Sequence, residues 1–377
     1  MDFSFTEEQT LLRNSISKFL SGNYSFETFK KVSGTAAGWR RDCWNQFAEL
    51  GLLAASLPEE YGGFGGGPVE TMIIMEEFGR ALVVEPFVST VVLAGNFFLR
   101  GGNQAQKQEW LPKIAGGDTI VAFAFAEPQG RYNFADLTTT AKKHGSAYVL
   151  SGQKAVVLGA PWSDALIVSA RTAGGRRDEK GVTVFLVDKK AKGVAARDYP
   201  TIDGLRASEI TFENVEVPVA NVIGTIDQGL ALIEYATDHA IAAHAAETVG
   251  AMKVLLDATV EYSKTRKQFG TPIGKFQVLQ HQMADMFMHY EQSSSMTYMV
   301  TLNLSKDDAA RKKAASAAKV QIGKAGRFIG QSAVQIHGGM GMTEELNVGH
   351  YFKRVTMLDT LYGNLEHHLK RYAALSG

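Results

Sequence analysis

From residue 118 to residue 218 the chain contains TIVAFAFAEP, SAYVLSG, KAVVLGAP, DALIVSAR, GVTVFLVD and SEITFENVEV in succession. Each run is short and rich in β-branched residues, and Gly, Pro, Asn or Asp separates it from the next. That is the pattern of a mostly antiparallel β-domain. Parallel strands need crossovers of a dozen or more residues, usually helical, and few of the intervals here hold one. A Rossmann arrangement is therefore disfavoured. On both sides of this stretch the hydrophobic period becomes helical. Thr6 resembles an N-cap with acidic residues behind it, and Leu11, Leu12, Ile16, Phe19 and Leu20 recur at helical spacing. ETMIIMEEFGRAL gives a second helix, whose polar side carries Glu76, Glu77 and Arg80. Beyond about residue 225, three long helical patterns and a last one around Tyr362 suggest an up-and-down bundle. The fold class read from this order is α+β multidomain: an N-terminal helical domain over 1–117, a central β-barrel over 118–220, and a C-terminal four-helix bundle over 221–377.

Composition excludes several functions. Lys+Arg and Asp+Glu both number 39, so no net field attracts nucleic acid or an anionic membrane. The single cysteine, Cys43, excludes an internal disulfide and any CxxC-type metal site. The N-terminus is acidic and amphipathic, unlike a signal peptide, and no run reaches the ~18 apolar residues of a membrane helix. A cytoplasmic protein without a membrane span is expected. The cluster Gly62-Gly63-Phe64-Gly65-Gly66-Gly67-Pro68 lies between helical patterns, so it reads as a loop and not as a dinucleotide fingerprint, which follows a strand. His367 and His368 are adjacent, point about 100° apart on a helix and lack clustered partners, so no metal site is assigned.

The residues that suggest chemistry come late. Arg266-Lys-Gln-Phe269-Gly270 falls where a long helix ends, Gln277 follows, and Gln335-Ile-His-Gly338-Gly339-Met-Gly341 comes later still. Arginine can grip a pyrophosphate bidentately, and glycines let backbone N–H groups approach phosphate closely. A phenylalanine offers a flat apolar face and glutamines offer amide hydrogen bonds. Further on, Tyr362-Gly363-Asn364 breaks a helical pattern.

In this order the motifs resemble the acyl-CoA dehydrogenase family over nearly the whole chain. LPEEYGG at 57–63, WLPKIAGGDTIVAFAFAEP at 110–128, SEITFENVEVP at 208–218, RKQFGTPIGKFQVLQHQMADM at 266–286 and QIHGGMG at 335–341 carry the resemblance. It implies FAD held between barrel and bundle, a tetramer, an acyl-CoA substrate, and electron-transfer flavoprotein or a similar acceptor. By match of motif, Arg266 and Phe269 would reach the FAD of a neighbouring subunit. Gln335, Gly338 and Gly339 would meet its pyrophosphate region, Gln277 its adenosine end, and Asn364 belongs with the cofactor contacts. The implied reaction removes a proton α to a thioester while the β-hydride passes to flavin.

Departures from the family pattern concern the base. The glutamate that usually precedes the glycine of the late helix break is replaced by Tyr362, and the alternative seat on the first bundle helix is Ala240. A phenol with a reference pKa near ~10 is a poor base at neutral pH. Asp238, Asp359 and Glu366 are candidate replacements, the last two on the face of Tyr362 if a helix runs through it. The family's Thr-Glu-Pro reads Ala126-Glu127-Pro128 and its Trp-Ile-Thr run reads Val156-Val157-Leu158, which leaves backbone contacts to flavin at Ala126 and Leu158. The first reading is an FAD-dependent acyl-CoA oxidoreductase. The alternative is an FAD-binding partner subunit of a mixed tetramer, similar to the small subunits of dicarboxylyl- or steroid-acyl-CoA dehydrogenases. A third reading is a non-enzymatic binding protein on the same scaffold.

Overall fold

The structure is a computed structural model that describes residues 4–376. The helices are α1 (Glu7–Asn23), α2 (Phe26–Ser33), α3 (Arg41–Glu49), α4 (Pro68–Ala81), α5 (Gly95–Gly101) and α6 (Gln104–Ala115), followed after the sheet by α7 (Gly229–Thr265), α8 (Gln277–Asn303), α9 (Asp308–His337), α10 (Asn347–Thr360) and α11 (Leu365–Ala374). Packing divides them between two compact units. One comprises residues 1–32, 68–83 and 241–377, the other residues 33–67 and 84–240.

In the first unit, Thr6 caps α1 through a capping box with Gln9. The polar side of α4 is not a solvated face. Arg13 of α1 reaches Glu76 at 2.7 Å and Glu77 at 3.2 Å, and Glu77 is only 6% exposed. Helices α4 and α7 meet through glycine. A Cβ at Gly79 would lie 2.0 Å from the Glu247 carbonyl oxygen, and one at Gly250 would lie 2.0 Å from that of Glu76. The glycines therefore let the two backbones touch, which any side chain would prevent. Helix α9 packs against α8, α10 and α11.

The second unit is built on an eight-stranded sheet with the order β6-β7-β3-β2-β4-β5-β8, in which β1 (Val121–Ala124) pairs in parallel with β4. The other strands are β2 (Thr140–His144), β3 (Ala147–Leu158), β4 (Ala165–Arg171), β5 (Val182–Asp188), β6 (Val194–Pro200), β7 (Arg206–Pro218) and β8 (Val222–Ile223). The expected closed barrel is not formed. Among the described residues, β8 at one end of the sheet is two residues long and pairs only with β5, while β6 at the other pairs only with β7. Strand β6 is exposed and carries Arg197, Asp198 and Pro200, residues that blunt an open edge. The runs AYVLSG and KAVVL fall in one continuous strand, β3, whose register against β7 slips between Lys154 and Val157. The core packs Tyr148, Leu150, Phe185, Ile210, Phe212 and Val217 together.

A buried ion pair fixes the loop after β1. Lys154 Nζ lies 2.8 Å from Glu127 Oε1, and both side chains are fully buried. Glu127 also accepts from the Thr138 N–H at 2.7 Å and the Thr139 N–H at 3.1 Å. Burial pushes the Glu127 carboxyl up, but the Lys154 charge and the Thr138 hydrogen bonds outweigh that and hold it at about 2. Burial lowers Lys154 to about 8, so both groups are charged at neutral pH. The unfolded carboxyl titrates near 4.5 and takes up its proton first as pH falls. The pair's stabilisation is thus present above about 4.5 and is lost as pH falls toward about 2. Between pH 6 and pH 3 the urea midpoint should fall further in the wild type than in the double variant Glu127→Gln, Lys154→Met. Equal falls would show that the pair does not carry this pH dependence.

Candidate functional site

Helix α7 ends at Thr265, and the chain turns through a small antiparallel ladder pairing Gln268 with Thr271 and Lys267 with Pro272. At its tip Phe269 has φ 52° and Gly270 has φ 77°. Two consecutive positive φ values suit a tight hairpin turn. They hold the Phe269 ring 94% exposed. Helix α9 ends at His337, where Gly338 takes φ 60° and leads into a short 3-10 turn over Gly338–Met342. The two helix ends form a cleft of about 640 Å³ lined by Arg266, Phe269, Phe276, Gln335, Gly338 and Gly339, among others. On one wall the Tyr262 ring stacks on His337, with centroids 4.3 Å apart.

The cleft gathers Arg266, Phe269, Gln335, Gly338 and Gly339 from sequence segments about seventy residues apart. Arg266 is exposed and makes neither an ion pair nor a side-chain hydrogen bond with the described residues. A Cβ at Gly338 or Gly339 would meet nothing within 4 Å, so the backbone there borders open space. The Gly338 N–H itself donates to the Gln335 carbonyl, so what the glycines add is close approach to the backbone. A free guanidinium, an uncrowded glycine backbone and an exposed ring suit the phosphates and an aromatic part of a dinucleotide. Gln277 is not in the lining. It is exposed at the start of α8, next to the lining residue Phe276. Ala126 and Leu158 are on the sheet unit, where the Ala126 carbonyl accepts from the Ala155 N–H at 2.8 Å. Beside them Val156, a β-branched residue, has φ 51° and is 44% exposed. Such strain in a β-branched residue is uncommon and clusters at functional positions.

The Tyr362 break separates α10 from α11, with φ 58° at Tyr362 and φ 121° at Gly363. Asn364 caps α11 by accepting from the His367 N–H at 3.1 Å. The break has its own braces. His368 Nε2 lies 3.1 Å from the Tyr362 carbonyl oxygen, which can only accept, so the proton is on Nε2. Burial first, then the Lys319 charge, pushes His368 down to about 2 and keeps the imidazole neutral. Lys319, buried and lowered to about 8 by desolvation, donates to the Leu358 carbonyl in the last turn of α10. Carbonyls there lack helical partners and carry the negative end of the dipole.

Because the helix stops before Tyr362, Asp359 and Glu366 do not share its face as a continuous helix would require. Asp359 lies toward α9, 3.4 Å from Arg327, and its Oδ1 lies beside Gly323. Glu366 is exposed in the first turn of α11, and Asp238 is fully buried in α7. Burial holds the Tyr362 phenol far above its ordinary range. What does lie beside Tyr362 is His244, with ring centroids 6.0 Å apart and planes 22° apart. His244 Nδ1 is 2.9 Å from Glu247 Oε2, and Arg354 Nη1 is 2.7 Å from Glu247 Oε1. Sequence reasoning passed over this trio. A histidine and a glutamate three apart in AIAAHAAETVGAM, otherwise alanine-rich and apolar, were the available signal.

The element order is helices, sheet, helices, with the cleft at two helix ends suited to a phosphate-bearing cofactor, and comparison with known proteins assigns the family. Residues 6–118 match the family model for the acyl-CoA dehydrogenase N-terminal domain, 122–215 that for the middle domain, and 227–375 that for the C-terminal domain. The 3-(aryl)acrylate reductase of Clostridium sporogenes is 30% identical over 367 residues, covering 96% of both chains. The acyl-CoA dehydrogenase FadE12 of Mycobacterium tuberculosis is 31% identical over 362 residues, covering 92% of this chain and 90% of that one. The solved butyryl-CoA dehydrogenase from Megasphaera elsdenii superposes with a TM-score of 0.89 at 26% identity over 99% of each chain. The chain belongs to the acyl-CoA dehydrogenase family, whose fold it has throughout, and is a flavin-dependent oxidoreductase acting on CH–CH groups of acyl-CoA thioesters. These near full-length matches to a reductase and to dehydrogenases do not favour the partner-subunit reading.

Proposed function

We propose that this protein is a cytoplasmic FAD-dependent acyl-CoA dehydrogenase that oxidises the α,β-bond of an acyl-CoA thioester, assembled as a tetramer and passing its electrons to electron-transfer flavoprotein. The observation that carries the reading is the cleft that joins Arg266 and Phe269 to Gln335, Gly338 and Gly339. In it Arg266 binds a diphosphate and Gly338 and Gly339 let the phosphates approach the backbone closely, while Gln277 is the contact toward the adenosine end. The exposed Phe269 ring suits a contact with a neighbouring copy's cofactor, which motivates the tetramer. Ala126, Leu158 and Asn364 are the remaining proposed cofactor contacts. When bound, the flavin supplies a two-electron acceptor for hydride. The Tyr362 N–H is proposed to hold the thioester carbonyl, a role independent of its side chain. Hydrogen bonding there stabilises negative charge as the α-proton leaves.

No helix of the described residues is long and apolar enough to cross a membrane. The test of cofactor identity is the absorption spectrum and FAD titration of purified protein. Arg266→Ala should weaken FAD by ~1.5–3 kcal/mol, the contribution of a charge-assisted contact. That corresponds to about 10- to 150-fold in dissociation constant. Colourless protein that refuses added FAD would sink the reading. Anaerobic bleaching of the flavin by a panel of acyl-CoAs tests the reaction, and a band that none of them changes counts against it.

A further inference from the structure

The buried charges beside Tyr362 take no part in the function above, yet their arrangement is costly to fold. Glu247 and Arg354 are 5% and 1% exposed, and such charges are retained only with close partners. We propose that His244, oriented by Glu247, is the acceptor of the substrate's α-proton, in place of the carboxylate missing at Tyr362 and Ala240. This rests on the acyl-CoA dehydrogenation proposed above.

Hydrogen bonding decides which nitrogen is available. The Glu247 carboxylate accepts at 2.9 Å from His244 Nδ1, so Nδ1 carries the imidazole proton and Nε2 keeps its lone pair. Nε2 makes no hydrogen bond with any described residue, and His244 retains 8% exposure. Burial raises the Glu247 pKa, but the bond from His244 and the Arg354 charge more than offset it and leave the carboxylate ionised. Arg354 holds the other oxygen at 2.7 Å and is itself anchored on the Val83 carbonyl at 3.2 Å. A carboxylate gripped from both sides cannot swing, so the imidazole plane is fixed. That plane lies against the Tyr362 ring, the side chain at the family's base position.

The step balances within the protein and substrate. The α C–H bond breaks heterolytically, its proton forms a bond to Nε2, and its electron pair spreads onto the thioester carbonyl oxygen. The resulting imidazolium is neutralised by Glu247, and the proton later passes to water. Glu247 and Arg354 act through His244 and are positioning residues.

The experiment isolates this step from oxidation. FAD-loaded protein is incubated in D₂O with 3-thiabutyryl-CoA, which has sulfur in place of the β-carbon and no hydride to lose, and α-deuteration is followed by mass spectrometry. His244→Gln keeps an amide that can donate to Glu247. It should lower the exchange rate by roughly 10²–10⁴-fold, the range of a general base. His244→Ala should regain exchange when imidazole is added. An unchanged rate in His244→Gln, or exchange lost in Tyr362→Phe but kept in His244→Gln, overturns the proposal. Independently of the variants' folding, ¹⁵N-histidine NMR of flavin-free wild type at pH 7 should show His244 as the Nδ1–H tautomer, and an Nε2–H tautomer overturns it. If acyl-CoAs bleach the flavin while these tests fail, only the role of His244 falls. If wild type shows neither bleaching nor exchange, the dehydrogenase reading falls with it.

Discussion

Arg354→Met should destabilise the helical unit by ~3–5 kcal/mol, the loss that follows when one partner of a buried ion pair is removed. Methionine roughly fills the volume of the arginine stem, so the loss comes mainly from the Glu247 carboxylate left uncompensated. The Val83 carbonyl also loses its donor. The effect has a pH signature. Above the ordinary carboxylate value of 4.5, wild-type Glu247 is ionised and its lowered pKa contributes stability. As pH falls below it the unfolded chain takes up the proton first, so the contribution declines, and it is gone once pH has passed the lowered folded value. The gap between wild type and Arg354→Met should therefore be largest near pH 7 and shrink as pH falls below about 4.5. Adding Glu247→Leu to Arg354→Met should recover most of the loss, because no buried charge is then left alone. Urea and thermal unfolding check both statements. A single variant within about 1 kcal/mol of wild type would show that water or movement relieves the charge.

Gly250→Ala is expected to have the next largest effect. The new methyl would sit 2.0 Å from the Glu76 carbonyl oxygen and 3.0 Å from the Arg80 nitrogen, both backbone atoms of α4. A helix backbone cannot yield by a rotamer change, so α4 and α7 must separate. Overpacking of this kind costs ~1–3 kcal/mol and occasionally more. Gly79→Ala meets the Glu247 carbonyl at 2.0 Å from the opposite helix and should cost a similar amount. Because either methyl forces the same separation, the double variant should lose clearly less than the sum. Strict additivity in a double-mutant cycle would mean that each methyl is accommodated locally. Separation at this crossing also shifts Glu247, so either variant should lower the rate of α-proton exchange beyond its effect on stability.

Local signals were legible. Runs of β-branched residues between turn formers marked β1, β4, β5 and β7, and helical periods marked α1, α4, α8 and α9. The break at Tyr362-Gly363-Asn364 was visible because glycine and a capping asparagine interrupt a period. Strand β2 reads TAKKH and β6 reads VAARDYP, and both escaped notice because their charges face water. Their strand identity comes from pairing with β3 and β7, which local composition does not reveal.

The motifs around Arg266 and Gln335 were visible because helix ends, glycines and an arginine are short-range features, and the fold brings both to one cleft. Whether the sheet closed was beyond such signals: the two residues of β8 end one edge and charged β6 the other, so closure failed on strand length and partner. The pairing of Glu247 with Arg354 spans 107 residues, and nothing in either segment names the other. It exists because glycines at 79 and 250 bring α4 and α7 into backbone contact, and α10 reaches the same place by donating from Tyr351 to the Arg80 carbonyl. A charge is tolerable in the interior only where a partner arrives. Sequence therefore specified which residues were out of place among alanines, and packing alone decided that His244, Glu247 and Arg354 would meet beside Tyr362.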